Sequence, residues 1–310
     1  MRMACLFVGL SAAALGCSSS GGGGGGGPLG PEPFPKPAAA HVHGDPTPLE
    51  QESLELLQRA RANPGAEGTW LAQLPAAQGA IKQYAVDTAQ MVQEFTTYPP
   101  VPPLAFNEKL IAAARGHSLD MATVGFQGHD GSNGSSAKDR VQAAGYADSY
   151  AGENVYASAK SPEHCHAAFL IDWGVSTLGH RINALDLKYA KREIGIGTIA
   201  ENIHADYGPL VMTNDFGYGD KKRSFVTGVV YQDADGDQEY DAGEGLAGYD
   251  VVAESAEFFA TTGQSGGYAV PFAINTGPMV VQLQLQGRVV QEVTTAIGPD
   301  NVKLDFALAP

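Results

Sequence analysis

The stretch from Leu104 to Phe216 holds an ordered series of short motifs. They are HSLDM from His117, GHD around His129, GEN around Glu153, a lone Trp173, GHR around His180 and GIG from Gly195 to Gly197. No single motif is specific, because each consists of a few common residues. Their order and spacing together are the informative feature, and the series decides the fold.

Helices and strands alternate around these motifs. Apolar spacing predicts four helices, the first from Leu49 to the Asn63-Pro64-Gly65 stop, and the others over residues 80–94, 107–123 and 161–173. Period-two alternation predicts strands over residues 193–200 and 209–216. Helices that flank a small antiparallel sheet make an α+β fold.

The motif series resembles the CAP superfamily (cysteine-rich secretory protein, antigen 5 and pathogenesis-related 1), in its bacterial branch. The segment ELLQRARANP, which ends at Pro64, is similar to the first helix of bacterial members. The resemblance implies an α-β-α sandwich over residues 48–220. It also implies a cleft lined by His129, Glu153 and His180. The CAP fold serves many roles and need not be catalytic.

Two imidazoles beside a carboxylate can hold zinc or another divalent ion, with Glu153 as ligand, as orienting group or as general base. If the protein is an enzyme, Glu153, His129 and His180 are the candidate catalytic residues. Many CAP domains have a second cavity glutamate, which has no counterpart near Val175 and Ser176 here. Because a strong zinc site needs three or four protein ligands, we expect modest affinity.

Other polar residues of this region have simpler interpretations. His117 lies on the apolar stripe of its helix, which predicts a core histidine. His129 alone is also compatible with a solvated loop. His164 and His166 flank Cys165 and point apart on a helix, which argues against a metal site. Arg140 is expected either to support the His129 loop or to form a surface ion pair.

The periodicity of apolar residues changes near residues 219–223. Residues 224–310 are predicted to form short alternating strands of a small β-sandwich. The segment DADGDQEYDAGE presents acids at calcium-loop spacing, although Gln238 replaces the usual glycine. It resembles the calcium loop of B-type repeats in bacterial adhesins, which implies an immunoglobulin-like or prealbumin-like domain. The expected calcium ligands are Asp233, Asp235, Asp237, Glu239 through its backbone carbonyl, Asp241 and Glu244. A solvated acidic hairpin is the alternative.

The N-terminus reads as an export signal. Residues 1–17 combine Arg2, a short apolar run and the ALGC sequence, which looks like a bacterial lipoprotein signal with Cys17 as the lipidated residue. Simple secretion is the alternative. Residues 18–47, with seven consecutive glycines and a proline-rich run, are predicted to be a flexible tether whose His41 and His43 are solvated. After processing, Cys165 alone remains, so no intramolecular disulfide is expected.

The formal net charge is −15, from 34 acidic and 19 basic residues. This balance argues against nucleic acid and against direct binding to anionic membranes, since both attract basic proteins. We therefore expect membrane contact through the lipid anchor only. Two function classes remain open. One is a surface-anchored binding protein for a small ligand, lipid or peptide, with a calcium-stabilised β stalk. The other is a metal-assisted hydrolase of peptides or esters.

Overall fold

The structure is a computed structural model that describes residues 31–187, 190–201, 204 and 206–309. The predicted signal segment and the predicted lipidation site at Cys17 lie outside these residues. From Pro31 onward the described chain forms one compact unit. No helix within the described part is both long enough and apolar enough to cross a bilayer.

Eight α-helices and four of the first five strands of the described chain build the first part of this unit. The helices are α1 (Pro48–Ala62), α2 (Pro64–Gln73), α3 (Gln78–Gln83), α4 (Thr88–Phe95), α5 (Glu108–Val124), α6 (Ala137–Ala143), α7 (Pro162–Ile171) and α8 (Gly179–Ala184). The strands are β1 (Ala39–Ala40), β2 (Ala105–Phe106), β3 (Tyr150–Ala159), β4 (Glu193–Ile199) and β5 (Leu210–Gly217). The mixed α and β class predicted from the sequence is confirmed.

Strands β2, β4, β5 and β3 form one sheet in that order, with β3 at an edge. The sheet carries helices on both faces. Met212 and Phe216 of β5 share a core cluster with residues of α1, α4 and α7. Val211 of β5 and Val155 of β3 instead pack with Met121 of α5. Alternate side chains of the strands therefore serve two separate hydrophobic layers.

The GIG motif has a packing role. A Cβ atom on Gly195 would lie 2.0 Å from the carbonyl carbon of Leu110, and one on Gly197 would lie 2.1 Å from the backbone nitrogen of Arg115. Both neighbours belong to α5, so these two glycines let the helix backbone rest directly on β4.

Two predicted helices differ from the structure. The predicted helix over residues 80–94 is split into α3 and α4, because Ala85 adopts a left-handed conformation. A new helix then begins at Thr88, where the Asp87 side chain acts as the N-cap and accepts the backbone N–H of Gln90. The predicted helix over residues 161–173 stops at Ile171, since Asp172 at the C-cap is also left-handed, with φ of 60°. The Asn63-Pro64 stop occurs as predicted, and Asn63 then caps α2.

The second part is β-rich. Its strands are β6 (Arg223–Gln232), β7 (Asp250–Ala253), β8 (Phe258–Thr261), β9 (Gly267–Ala273), β10 (Gly277–Leu285), β11 (Arg288–Ile297), β12 (Val302–Lys303) and β13 (Phe306–Leu308). One sheet has the order β1-β8-β7-β10-β11, and the other joins β12, β6 and β13 with β9 beside β6. Val230, Val270, Val251 and Val281 share one core cluster, so residues of both sheets form a common interior.

The residues predicted as the end of a flexible tether are packed instead. Residues 31–47, called the N-terminal strap below, place β1 in parallel beside β8 and donate the Phe34 N–H to the Gln282 side chain over 2.7 Å. His43 is 5% exposed, and the His41 ring centroid lies 5.6 Å from that of Phe225. The expectation of solvated histidines is therefore wrong. Their partners lie about two hundred residues away in the chain, where local composition gives no sign of them.

Polar contacts join the two parts. The Arg192 guanidinium donates to the backbone oxygens of Arg223 and Pro299, at 3.2 and 2.7 Å. The Lys303 ammonium lies 2.6 Å from the Glu55 carboxylate of α1. Hydrogen bonds and an ion pair therefore connect the β-rich part with the first part of the unit.

Candidate functional site

Glu153 is the centre of the site. Strand β3 carries it at the sheet edge, and its side chain is 2% exposed. One carboxylate oxygen, Oε1, lies 2.8 Å from His129 Nδ1, and the other, Oε2, accepts a 2.5 Å bond from Arg140. Both oxygens of this buried carboxylate are therefore engaged by cationic or polar partners, as a buried charge requires.

Arg140 supports the loop that carries His129. Its guanidinium also donates to the backbone oxygens of His129 and Ser135, at 3.0 and 2.8 Å. Ser136 starts α6 with a capping box, which aims the helix and its arginine at the loop. Of the two roles expected for Arg140, the structure places it in the supporting one, because its side chain is only 12% exposed.

His129 is oriented but accessible. Its side chain is 59% exposed. The hydrogen bond with Glu153 raises the pKa of His129, and the charge of Glu153 adds to this effect against partial burial. When the ring is neutral, Nδ1–H donation to Glu153 leaves Nε2 as the outward acceptor.

His180 has an equivalent arrangement that the motif series did not reveal. Its Nδ1 lies 2.7 Å from Oδ1 of Asp172, whose side chain is fully buried. The second oxygen of Asp172 accepts the backbone N–H groups of His180 and Arg181, at 3.0 and 3.2 Å. The left-handed turn at Asp172 brings the carboxylate back over the start of α8. The sequence gives no signal for this contact, because it depends on the left-handed turn at Asp172.

The two histidines are held on different sides of β3. Glu153 and Asn154 are adjacent in the strand and point to opposite faces of the sheet. Glu153 faces His129, while the Asn154 side chain donates to the backbone oxygen of His180 over 3.0 Å. The His180 ring packs on Phe169, with centroids 5.5 Å apart. Among the described residues, neither Nε2 atom has a hydrogen-bond partner within the chain.

Asp215 is a further acid of the site that sequence reasoning missed. It pairs with Glu153 across β3 and β5 and is completely buried. Within the described chain, neither of its carboxyl oxygens has a hydrogen-bond partner. Burial, and then the charge of Glu153, raise the pKa of Asp215 well above its ordinary value, although Arg140 opposes this. The environment of Asp215 therefore favours its protonated form over its charged form. Only the strand register brings Asp215 and Glu153 together.

His117 lies in the core, as the apolar stripe predicts, and is fully buried. Its Nε2 lies 2.8 Å from the backbone oxygen of Gly128, which anchors the start of the His129 loop. His166 is also buried, with Nε2 2.8 Å from the Glu67 carboxylate, and His164 packs between the rings of Tyr156 and Trp173. These histidines have structural partners of their own.

The family comparison bears on the stretch that carries this site. Residues 90–199 match the model of the cysteine-rich secretory protein family, CAP. Residues 90–199 contain a CAP domain. A solved structure of an extracellular protein with an SCP domain from Bacillus anthracis str. Ames is similar at 22% identity, with a TM-score of 0.30. The match covers 45% of this chain and 40% of that one, so less than half of that protein's length is represented. No curated protein gives a significant match.

The three residues predicted to line a cleft do not fit a preformed three-ligand zinc site. Among the described residues, the one group of three His, Cys, Asp or Glu whose ligand atoms all lie within 4.8 Å is Asp233, Asp235 and Asp237. His129, Glu153 and His180 are not brought together in this way. The reason is the alternation of β3, together with the engagement of both Glu153 oxygens by His129 and Arg140.

In the acidic loop of the β-rich part, the candidate ligand atoms lie closer together than those of His129, Glu153 and His180. Asp233 accepts the backbone N–H groups of Gly236 and Gln238, both of which have positive φ. Glu244 closes the loop by accepting the N–H groups of Ala234 and Asp241, at 2.7 and 3.0 Å. The Glu239 carboxylate turns outward to Arg59 at 2.7 Å. The ligand atoms of Asp233, Asp235 and Asp237 thus lie close together. Hydrogen bonds from backbone N–H groups to Asp233 and Glu244 stabilise the conformation of the loop.

Proposed function

We propose that this chain is an exported CAP-domain binding protein that contacts its ligand through His129 and His180. The observation that carries this proposal is that a buried carboxylate holds the Nδ1 atom of each ring. Among described residues the Nε2 atoms have no partner, and both side chains are accessible, at 59% and 20% exposure. Such pre-oriented imidazoles are suited to recognition, because little side-chain entropy is lost on binding.

The chemistry of the site favours a polar ligand. Neutral imidazoles offer Nε2 as a hydrogen-bond acceptor, and a protonated His129 offers a donor instead. Peptide groups, with both donors and acceptors, fit this pair better than an apolar lipid chain does. A ligand that carries a metal ion, and that binds each Nε2 atom through a separate contact, is also compatible with histidines whose Nδ1 atoms contact carboxylates.

Hydrolysis is less well supported. A metal-assisted hydrolase would need Glu153 as a general base close to the reacting water. Here Arg140 and His129 occupy both oxygens of Glu153. We therefore favour binding over catalysis.

The test is a titration of the full chain with peptide mixtures, phospholipid vesicles and Zn²⁺, followed by imidazole NMR signals. The proposal predicts that one of these probes shifts the His129 and His180 signals. It also predicts that the double variant His129→Gln, His180→Gln loses that binding while it keeps its melting temperature. Unchanged binding by the double variant contradicts the proposal that His129 and His180 contact the ligand. Turnover of a peptide or ester that the double variant abolishes supports the hydrolase instead.

We also propose calcium as a structural ion in the acidic loop, with Asp233, Asp235, Asp237, Asp241 and Glu244 as ligands and the Glu239 backbone carbonyl as another. The proximity of three aspartates supports it, because gathered carboxylates repel one another without a cation. Calcium is then expected to raise the melting temperature of the full chain, and Asp235→Asn to reduce this increase. Equal melting temperatures in calcium and in chelator contradict the proposal.

Export rests on the sequence of the first 17 residues, with Cys17 as the proposed lipidated residue. In a bacterial host, radiolabelled palmitate is expected to label the full-length chain but not the Cys17→Ser variant. A chain that appears unlabelled in the medium indicates simple secretion.

A further inference from the structure

A cavity of about 250 Å³ lies where the β-rich part meets the first part of the unit. Pro102 and Pro103, which precede β2, line it together with the segment before β4, which includes Arg192. Asp300 and Asn301, between β11 and β12, line it from the β-rich part. Small-molecule sites are common at such junctions. The described lining residues include none of those that form the histidine sites or the acidic loop, so the cavity is a separate candidate site.

Buried side chains hold the walls of this cavity in position. Asn301 is 5% exposed, and its amide donates to the backbone oxygens of Pro103 and Arg192, at 3.0 and 2.7 Å. The fully buried guanidinium of Arg61 donates to the backbone oxygen of Pro102 from two nitrogens, at 2.9 and 2.7 Å. Because these hydrogen bonds fix the backbone on both sides, little ordering is needed when a ligand binds.

Arg192 uses only part of its guanidinium within the protein. Its Nη1 donates to the backbone oxygens of Arg223 and Pro299 and to the Ser224 hydroxyl. Its Nε and Nη2 groups donate to no atom of the described residues, and the guanidinium forms no ion pair with them. The Nε and Nη2 groups of an arginine form the edge that binds a carboxylate through two parallel hydrogen bonds. A carboxylate is therefore the ligand group for which Arg192 is best suited.

Asp300 brings the opposite charge to the same cavity. It lies between Pro299 and Asn301, and both of these residues are hydrogen-bonded to Arg192 at 2.7 Å. Asp300 is exposed, and its carboxylate forms no hydrogen bond or ion pair within the described part of the chain. Arg192 and Asp300 therefore do not neutralise each other. A ligand with both a carboxylate and an ammonium group complements the two charges.

The other lining residues do not change this charge pattern. Lys191 Nζ lies 4.0 Å from Asp186 Oδ1, so these two opposite charges offset each other. Pro102, Pro103 and Ala190 contribute hydrocarbon surface. The cavity is smaller than the roughly 300–1,000 Å³ of pockets for drug-sized ligands. Its ligand is therefore a small molecule with an apolar portion.

We propose that this cavity binds a free α-amino acid with an apolar side chain. Arg192 binds the carboxylate, Asp300 binds the ammonium group, and the two prolines contact the side chain. Because the lining residues come from both parts of the unit, the bound amino acid joins the CAP-containing part to the β-rich part. This site does not depend on His129 or His180.

The first experiment is saturation-transfer NMR of the full chain with a mixture of the twenty protein amino acids, each at about 10 mM. We expect signals from one or more amino acids with apolar side chains, and no signal from any amino acid overturns the site. For the amino acid that binds best, the analogue without the amino group and the analogue without the carboxylate should each bind at least about tenfold more weakly. Equal binding by either analogue contradicts recognition through two charges.

The second experiment compares variants of the full chain. Asp300→Asn should weaken amino-acid binding at least about tenfold and leave binding of the analogue without the amino group unchanged. Arg192→Lys should weaken both, because lysine has no planar edge for a carboxylate. Glu254→Gln, which removes an exposed charge elsewhere in the β-rich part, is the control and should bind as the unmodified chain does.

Asp300→Asn is the deciding variant, because Asp300 is exposed and supports no described hydrogen bond, so the variant should keep its melting temperature. If it binds the amino acid as tightly as the unmodified chain does, the site is overturned. The double variant His129→Gln, His180→Gln should keep amino-acid binding. Failure of this site and failure of the proposed histidine site are therefore separate outcomes.

Discussion

His43 makes the stability of the chain depend on pH through the N-terminal strap. It is 5% exposed, and its Nε2 has no partner among the described residues. Burial, and then the neighbouring His41, lower the pKa of His43 from 6.5 to about 4, against Asp45 and a hydrogen bond to the Gly267 backbone. The folded strap therefore holds a neutral ring.

The sign and size of the effect follow from linkage. Between pH 6.5 and about 4 the unfolded chain binds a proton at His43 that the folded chain does not bind. Stability consequently falls as the pH falls through this window, and the loss is complete below the folded pKa. A depression of this size corresponds to about 3 kcal/mol in the free energy of unfolding.

The assay is urea denaturation at about pH 7.5 and about pH 4.5. His43→Asn keeps a donor near the Nδ1 position but does not titrate, so its stability should fall less with acid than that of the unmodified chain. The difference should be on the order of 2–3 kcal/mol. His204→Asn, at a more accessible histidine with a 35% exposed side chain, is the control and should follow the unmodified chain. If His43→Asn also follows it, His43 titrates normally and the packed strap is wrong.

Three further predictions concern the sheet and the site. Arg140→Ala leaves Glu153 buried with only a histidine partner, so the free energy of unfolding in urea should fall by about 3–5 kcal/mol; a change below about 1 kcal/mol contradicts the buried pair. Asp215 has a raised folded pKa, so its own contribution to stability should fall as the pH rises above 3.8; relative to the unmodified chain, Asp215→Asn should therefore gain stability with rising pH, and parallel pH profiles of the two refute the raised pKa. Gly197→Ala places a Cβ 2.1 Å from the Arg115 backbone nitrogen and should lower the melting temperature or prevent folding, at a cost of about 3 kcal/mol or more; an unchanged melting temperature contradicts the close packing of α5 on β4.

Regular periodicity explains which elements the sequence predicts well. The stripe through Leu110, Ala114, His117 and Met121 predicts α5, and the structure has α5 over Glu108–Val124. Alternation predicts β4 and β5 nearly to the residue. The breaks within helices were missed, because left-handed residues such as Ala85 and Asp172 carry no compositional signal.

Contacts between residues that are far apart in the sequence explain the features that the sequence does not predict. His129, Glu153 and His180 are recognisable by motif, but their orienting partners are not. Asp172 acts through a turn, and Asp215 acts through strand register. Both are ordinary acids in the sequence. The N-terminal strap was misjudged for the same reason, since a proline-rich segment suits an extended strand edge as well as a free tether.

The central claim is that buried carboxylates hold both histidines at Nδ1 and leave Nε2 without a partner among the described residues. Nitrogen NMR of the imidazole rings, at a pH where both are neutral, tests it most directly. We expect His129 and His180 each to carry the proton on Nδ1, and Asp172→Ala to remove this preference at His180 alone. Both rings protonated on Nε2, or a His180 ring indifferent to Asp172→Ala, would contradict it.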